Sequence, residues 1–203
     1  MIHFGIIHYT KRVRQTLPDC IASLHAAGCT SMMVYPDGGE YGALMNFHRA
    51  LADLYARAHP GDFVCVVDDD LVVHRSAISS SIDLYSDRSP AAWTLYTVEQ
   101  NIPHELRDRS GWVEAPVGLG TWGGMVVLHR DLVPQVLAKM VPMLTDPALQ
   151  RAPDAVLYEA LNRNGTRVFH HLPSLADDIG HGASTIGNEH TPDTAGFRFN
   201  EWK

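Results

Sequence analysis

The chain has 203 residues, of which 45% are hydrophobic, 19% charged and 8% aromatic, a globular composition long enough for one domain with a full core. A formal net charge of −7 lacks the overall basic footprint of a nucleic-acid binder, although "TKRVR" gathers Lys11, Arg12 and Arg14. No run approaches the roughly 18–20 apolar residues needed to cross a bilayer, and the N-terminal apolar stretch is too short for a signal peptide. Cys20, Cys29 and Cys65 have no metal-ligand spacing, so reduced thiols in a cytoplasmic protein are expected.

In chain order, "IHFGIIHY" (2–9) and "SMMVY" (31–35) are short apolar runs bounded by polar or turn residues, and are predicted strands. Between them "LPDCIASLHAAGC" reads as a helix, with Pro18 near its first turn and Gly28 at its end. "PDGGEYG" is a loop by composition. An amphipathic helix is predicted from about Ala43 to Ala58, because Leu44, Phe47, Leu51, Leu54 and Tyr55 recur at spacings of three and four. The strand 63–68 follows. Strand–helix–strand–helix–strand predicts a doubly wound, Rossmann-like α/β half. Beyond it, 91–99 and 123–130 read as strands, with "NIPHELRDRSGW" as a polar loop between them. "DLVPQVLAKMVPML" reads as a helix whose regularity is limited by Pro134 and Pro142. Residues 154–163 read as a helix capped by Asp154, "TRVFHH" as a short strand, and the remainder mostly as loop. No repeat, low-complexity segment or linker divides the chain, so residues 1–203 are expected to form one domain.

The chemistry concentrates in "DFVCVVDDDLVVH". An apolar strand ends in three consecutive carboxylates, Asp68, Asp69 and Asp70. Open parallel sheets bind ligands at the carboxyl ends of their strands. Three adjacent ionised acids repel one another, and a divalent cation removes that cost. Oxygen donors suit Mg²⁺ or Mn²⁺, which keep positions open for substrate phosphates. A solvated turn is the plainer alternative.

At these residues the sequence resembles the GT-A fold glycosyltransferases, whose DXD motif holds a divalent metal that binds the diphosphate of a nucleotide-sugar donor. "GLGTWGGMVVLHRDL" (118–132) is similar to the family's glycine-containing segment beside the donor and acceptor sites. "APDAVLYEALNRNG" (152–165) resembles its later acidic motif, and "HLPSLADDIGHGAST" its C-terminal segment that can return a histidine to the metal. The stretches occur in the family's order. The resemblance implies an α/β fold with a mixed central sheet flanked by helices, in which 1–100 bind the nucleotide sugar and 101–203 form the acceptor and catalytic half.

It also implies roles. Asp68 and Asp70 are the paired motif acids, Asp70 as direct metal ligand and Asp68 toward the ribose or the metal through water; Asp69 is the tolerant middle position. Asp154 is the general base of an inverting transfer, or simply a helix cap. His181, between Gly180 and Gly182, is the third ligand, and imidazole beside carboxylates favours Mn²⁺. His170 and His171 compete for that place but point to opposite faces of a strand. Thr10, Arg12, Arg14, Asp37, Asn46 and Arg49 are candidates for donor recognition, each with an ordinary surface role as its rival. Gly123 and Gly124 allow close approach of a sugar, on which Trp122 could stack.

Two other classes stay open. A haloacid-dehalogenase-like phosphatase also places D-x-D after a strand, though on its first strand, and a non-catalytic nucleotide-sugar-binding module would keep the site without the chemistry. The acceptor is open among a glycan, a small molecule and a modified DNA base; net acidity disfavours nucleic acid, and no membrane partner is expected.

Overall fold

Alternating apolar runs and amphipathic helices build the first half of the molecule. In the computed structural model, which describes residues 1–11, 15–98, 104–106, 108–115, 125–146 and 153–180, β1 is Ile2–Tyr9, α1 Leu17–Ala26, β2 Met32–Asp37, α2 Ala43–Arg57 and β3 Phe63–Asp68. β1 lies parallel to both β2 and β3, with Tyr9 opposite Asp37 and Ile7 opposite Asp68. Pro18 occupies the first turn of α1, where its missing N–H costs nothing. The chain leaves that helix through Gly28 at φ +91°, a conformation side chains resist.

The second half adds β4 (Leu71–Val73), α3 (Ala77–Arg88), β5 (Ala92–Thr94), β6 (Gly111–Ala115), β7 (Val126–His129), α4 (Val133–Met140), α5 (Pro153–Arg163), β8 (Val168–Leu172) and β9 (Ala176–Asp178). One seven-stranded mixed sheet runs β2-β1-β3-β7-β5-β8-β6, and β4 pairs antiparallel with β9 beside it. β7 is antiparallel to β3 and β5, and β8 is parallel to β5. The carboxyl ends of β1, β2, β3, β5 and β8 therefore share one edge.

Helices cover both faces. Ile7, Val64 and Val66 pack with Leu44, Leu51 and Leu54 of α2, Val136 of α4 and Leu157 of α5. On the other face Phe4, Ile6, Cys65, Trp93 and Val127 pack with Leu24 of α1 and Leu84 of α3. Trp93 is fully buried and donates Nε1–H to Ser81 Oγ at 3.0 Å, so the indole's polar atom is satisfied within the core. A buried leucine contributes about 1.5–3 kcal/mol relative to an exposed one, so these two layers dominate the stability.

Several sequence expectations are corrected. Among the described residues, the strand expected at 91–99 is regular over Ala92–Thr94 alone, and that at 123–130 over Val126–His129. The polar loop expected before Trp112 ends earlier, because Gly111–Ala115 forms β6 against β8. The last stretch contains β9 as well as loop. The helix expected across 131–144 is three pieces: a 3₁₀ turn at Arg130–Leu132, α4, and a second 3₁₀ turn at Val141–Met143. Pro134 opens α4 and Pro142 ends its regular bonding, as a residue without an N–H must. Asp154 does not cap α5; Pro153 opens the helix and Asp154 is its second residue, since a proline is pre-shaped for the first helical position.

Candidate active site

The shared edge of the sheet collects the chemistry. α1 and α2 each leave the carboxyl end of one strand for the next, so their N-termini face this edge. α5 reaches β8 through only residues 164–167, which places its N-terminus toward the same edge. Around it stand the ends of β1 and β2, the acidic turn after β3, and the first turn of α5.

The acidic turn is firmly held. Asp68 and Asp70 are half-buried, whereas Asp69 is only 1% exposed and its Oδ2 lies 2.5 Å from His8 Nδ1. Cys20, buried in α1, points its thiol at the Asp68 carbonyl at 3.9 Å. Burial, reinforced by the charges of Asp69, Asp70 and Asp68, pushes that thiol far above its usual range. Cys20 is thus an inert packing residue beneath the turn.

The C-terminal part of the described chain returns to this turn. Ile179 N–H donates to the Asp70 carbonyl at 2.8 Å, extending the β4–β9 pairing in which Leu71 faces Asp178. Gly180 N–H donates to Asp178 Oδ1 at 2.6 Å. A Cβ at Gly180 would lie 2.7 Å from Asp70 Oδ2 and 2.9 Å from Asp178 Oδ1, so these two carboxylates converge on one backbone point. Among the described residues no group of three or more His, Cys, Asp or Glu is arranged to hold a metal ion. The donors present still fit a hard divalent cation of the Mg²⁺ or Mn²⁺ type, which takes one or two carboxylates and completes its shell with water and substrate phosphate. Asp68 and Asp70 are the residues that would hold it. His181 lies outside the described residues, directly after the glycine that abuts Asp70.

Asp37, 5% exposed at the end of β2, organises the loop that follows. Its Oδ1 accepts from Gly39 N–H at 2.8 Å and Tyr41 N–H at 3.2 Å, and its Oδ2 from Gly42 N–H at 3.0 Å. Burial alone would raise its pKa; the three backbone donors outweigh that and hold it below the usual carboxylate value. Thr10 donates from its backbone N–H to the Asp37 carbonyl at 2.9 Å, so the ends of β1 and β2 are tied together. Asn46, 3% exposed, donates to the Tyr35 carbonyl at 3.0 Å and accepts from Arg49 at 2.8 Å. Arg49 also donates to the Pro36 carbonyl at 3.2 Å and stacks its guanidinium 4.3 Å from the centre of the Tyr41 ring. These two residues brace the end of β2 and the loop that follows it.

Asp154 is half-buried at the start of α5, and burial raises its pKa against the opposing pull of the Ala155 and Asp154 backbone N–H groups. His170 and His171 lie on β8, three strands from β3, roughly 14 Å at the usual strand spacing. That distance separates them from the acidic turn. His170 is buried, with burial lowering its pKa to about 4, and His171 Nδ1–H donates to the Pro173 carbonyl at 2.6 Å. Arg12, Arg14, Trp122, Gly123 and Gly124 lie outside the described residues.

Two residues at this edge escape the sequence reading. His8 is the last inward-facing position of β1, and counting the alternation Ile2, Phe4, Ile6 one step further would have found it. Asp178 stands in "ADDIG", adjacent to the glycine–histidine pair the motif order singled out.

The seven-stranded mixed sheet flanked by helices is a GT-A-like fold, and solved glycosyltransferases and a nucleotidyltransferase share it. Staphylococcus aureus TarS, residues 1–349, superposes with a TM-score of 0.57 at 13% identity over 82% of this chain and 57% of that one. The same protein in complex with UDP-GlcNAc gives 0.54 at 12% identity. This chain therefore spans a little over half the length of the TarS structures. A glycosyltransferase involved in the glycosylation of the major capsid of PBCV-1 gives 0.56 at 15% identity, covering 93% of this chain and 99% of that one. A Bacillus anthracis protein assigned as a glucose-1-phosphate thymidylyltransferase, in complex with sucrose, gives 0.54 at 11% identity, with 92% of each chain covered. No family model matches the chain, and no curated protein matches it. At these identities the likeness is one of fold.

Proposed function

We propose that the chain is a divalent-metal-dependent glycosyltransferase that moves a sugar from a nucleotide-diphosphate sugar to an acceptor hydroxyl, with inversion. The observation that carries this reading is the acidic turn Asp68–Asp70 at the carboxyl end of β3, closed from the other side by the 178–180 segment on Asp70. The TarS complex with UDP-GlcNAc supports a nucleotide sugar as the donor class.

In this reading Asp68 and Asp70 form the DXD pair and Asp70 contacts the metal directly. A bound Mn²⁺ or Mg²⁺ supplies positive charge against the diphosphate oxygens as the glycosidic bond breaks. His181, next to Gly180, joins that ligand set. The loops after β1 and β2, with Thr10, Arg12, Arg14 and the Asp37-braced segment, surround the nucleoside, and Gly123 and Gly124 let the sugar approach the backbone. Asp154 takes the proton from the acceptor hydroxyl as its oxygen attacks the anomeric carbon opposite the departing diphosphate. A raised pKa makes Asp154 a stronger base than an ordinary carboxylate. Residues 1–100 serve the donor and 101–203 the acceptor and catalysis. The described helices include none long and apolar enough to cross a membrane, and the three cysteines are free and buried, which suits a reducing, cytoplasmic setting.

The test is a thermal-shift screen of nucleotide sugars with and without Mn²⁺, followed by donor turnover. A donor at a hundred times its Kd stabilises the fold by about 2.7 kcal/mol, so a Mn²⁺-dependent shift with one nucleotide sugar is expected. Formation of a nucleotide sugar from a nucleoside triphosphate and a sugar phosphate would assign the chain to the nucleotidyltransferases instead. Hydrolysis of phosphomonoesters alone would assign it to the phosphatases, and Mn²⁺-dependent binding without turnover to the binding modules.

A further inference from the structure

We propose that Asp178 is a positioning residue of the metal site: by holding the backbone of Gly180 it fixes the carboxylate of Asp70, and the bound cation in turn locks β9 against β4. This role rests on the divalent-metal reading above and adds to it a residue that acts through Asp70 without touching the cation.

The main chain carries the contact from one acid to the other. β9 reaches the acidic turn by pairing with β4, where Leu71 stands opposite Asp178. One residue on, Ile179 N–H donates to the Asp70 carbonyl at 2.8 Å and ties down the backbone of that acid. One residue further, Gly180 N–H donates to Asp178 Oδ1 at 2.6 Å. A backbone N–H can only donate, so this bond runs the same way whatever the charge on the Asp178 carboxyl group. Gly180 is buried, and removing its acceptor would leave that N–H unmet.

Gly180 is the surface on which Asp70 rests. The Asp70 side chain comes so close that a Cβ at position 180 would lie 2.7 Å from its Oδ2 and 3.2 Å from its Cβ. The Gly180 backbone thus blocks one side of the Asp70 carboxylate and limits its rotation, and Asp178 sets where that block stands. Residues that orient a metal ligand from outside commonly change metal affinity by roughly 10- to 100-fold. Such coupling is reciprocal: a 178–180 segment that favours the cation is favoured by the cation to the same degree. The amides of Ile179 and Gly180 report it, since both are bonded within the clamp.

The test follows Mn²⁺ alone by its electron paramagnetic resonance signal, in the full chain and in Asp178→Asn and Asp178→Ala, so no donor or acceptor is needed. Asp178→Asn keeps an oxygen for Gly180 N–H and removes the charge; Asp178→Ala removes both. Asp178→Ala is expected to weaken Mn²⁺ binding roughly tenfold or more, and Asp178→Asn to restore most of that affinity. Equal losses in the two variants would show that Asp178 acts by its charge or as a ligand, and would overturn the positioning role. Full affinity in Asp178→Ala would overturn it too. Amide exchange in the unmodified chain decides the matter even where Asp178→Ala fails to fold. Saturating Mn²⁺ should slow exchange at Ile179 and Gly180 by about tenfold, and unchanged exchange with Mn²⁺ bound overturns the coupling while the metal reading stands. Failure of the unmodified chain to bind Mn²⁺ overturns the metal reading, and the role of Asp178 with it.

Discussion

Gly180 lies against Asp70: a Cβ at position 180 would meet Asp70 Oδ2 at 2.7 Å and Asp70 Cβ at 3.2 Å. The residue that closes the acidic turn must therefore be small. Gly180→Ala is expected to displace the Asp70 carboxylate rather than unfold the chain, because the carboxylate can rotate. Donor turnover should need at least tenfold more Mn²⁺ for half-saturation, a change of about 1.4 kcal/mol, with Tm nearly unchanged. A Mn²⁺ titration of turnover beside a melting curve checks both parts.

Asp37 binds three backbone N–H groups with one carboxylate, so Asp37→Ala should release the 38–42 loop. The expected loss of stability is about 1–3 kcal/mol, read from urea unfolding. Its sign with pH follows from the lowered pKa. The folded state gains from the ionised carboxylate above the unfolded chain's value, and that gain is lost as pH falls through the folded one. The difference between the chain and Asp37→Ala should accordingly shrink in acid.

Much of the first half was legible because each element there obeys a single period. α2 was expected from about Ala43 to Ala58 and spans Ala43–Arg57, since its leucines and Phe47 mark one continuous buried face. β3 was legible as an apolar run because helices cover it on both faces. β6 was missed because, among the described residues, it lies at the sheet's rim and pairs with β8 alone, so Gly111, Glu114 and its neighbours need not be apolar. α3 drew no assignment because serines fill much of it and Ser81 is buried by bonding to Trp93 and to the Ala77 carbonyl. At the site, the acidic turn stood out by charge alone. The partnership of Asp69 with His8 spans 61 residues and has no local pattern to announce it.

His170 makes a separate prediction about acid stability. Its folded pKa of about 4 lies below the free value of 6.5, so the unfolded chain binds the extra proton between those values. Stability is full above pH 6.5 and falls as pH drops toward 4, by up to about 3 kcal/mol. His170→Leu should flatten this part of the pH dependence. Urea midpoints for the two proteins at pH 4.5 and pH 7 decide the matter: equal slopes would show that His170 is not held neutral by burial.

For Asp154 the readout is activity. A base must be ionised, so kcat should rise with pH through the Asp154 pKa, and burial places that acid limb above the range of an exposed aspartate. Asp154→Asn should lower kcat by roughly 10²–10⁴-fold and remove the limb, with little effect on donor binding. A variant that loses donor affinity but keeps kcat would assign Asp154 to the frame of α5 and not to the chemistry.

The most direct measurement is Mn²⁺-dependent turnover of a nucleotide sugar by the chain and by Asp70→Ala. Turnover that chelation abolishes and Mn²⁺ restores is expected, with an Asp70→Ala protein that folds but has lost both turnover and its response to the metal. Turnover and metal dependence left intact in Asp70→Ala would contradict it.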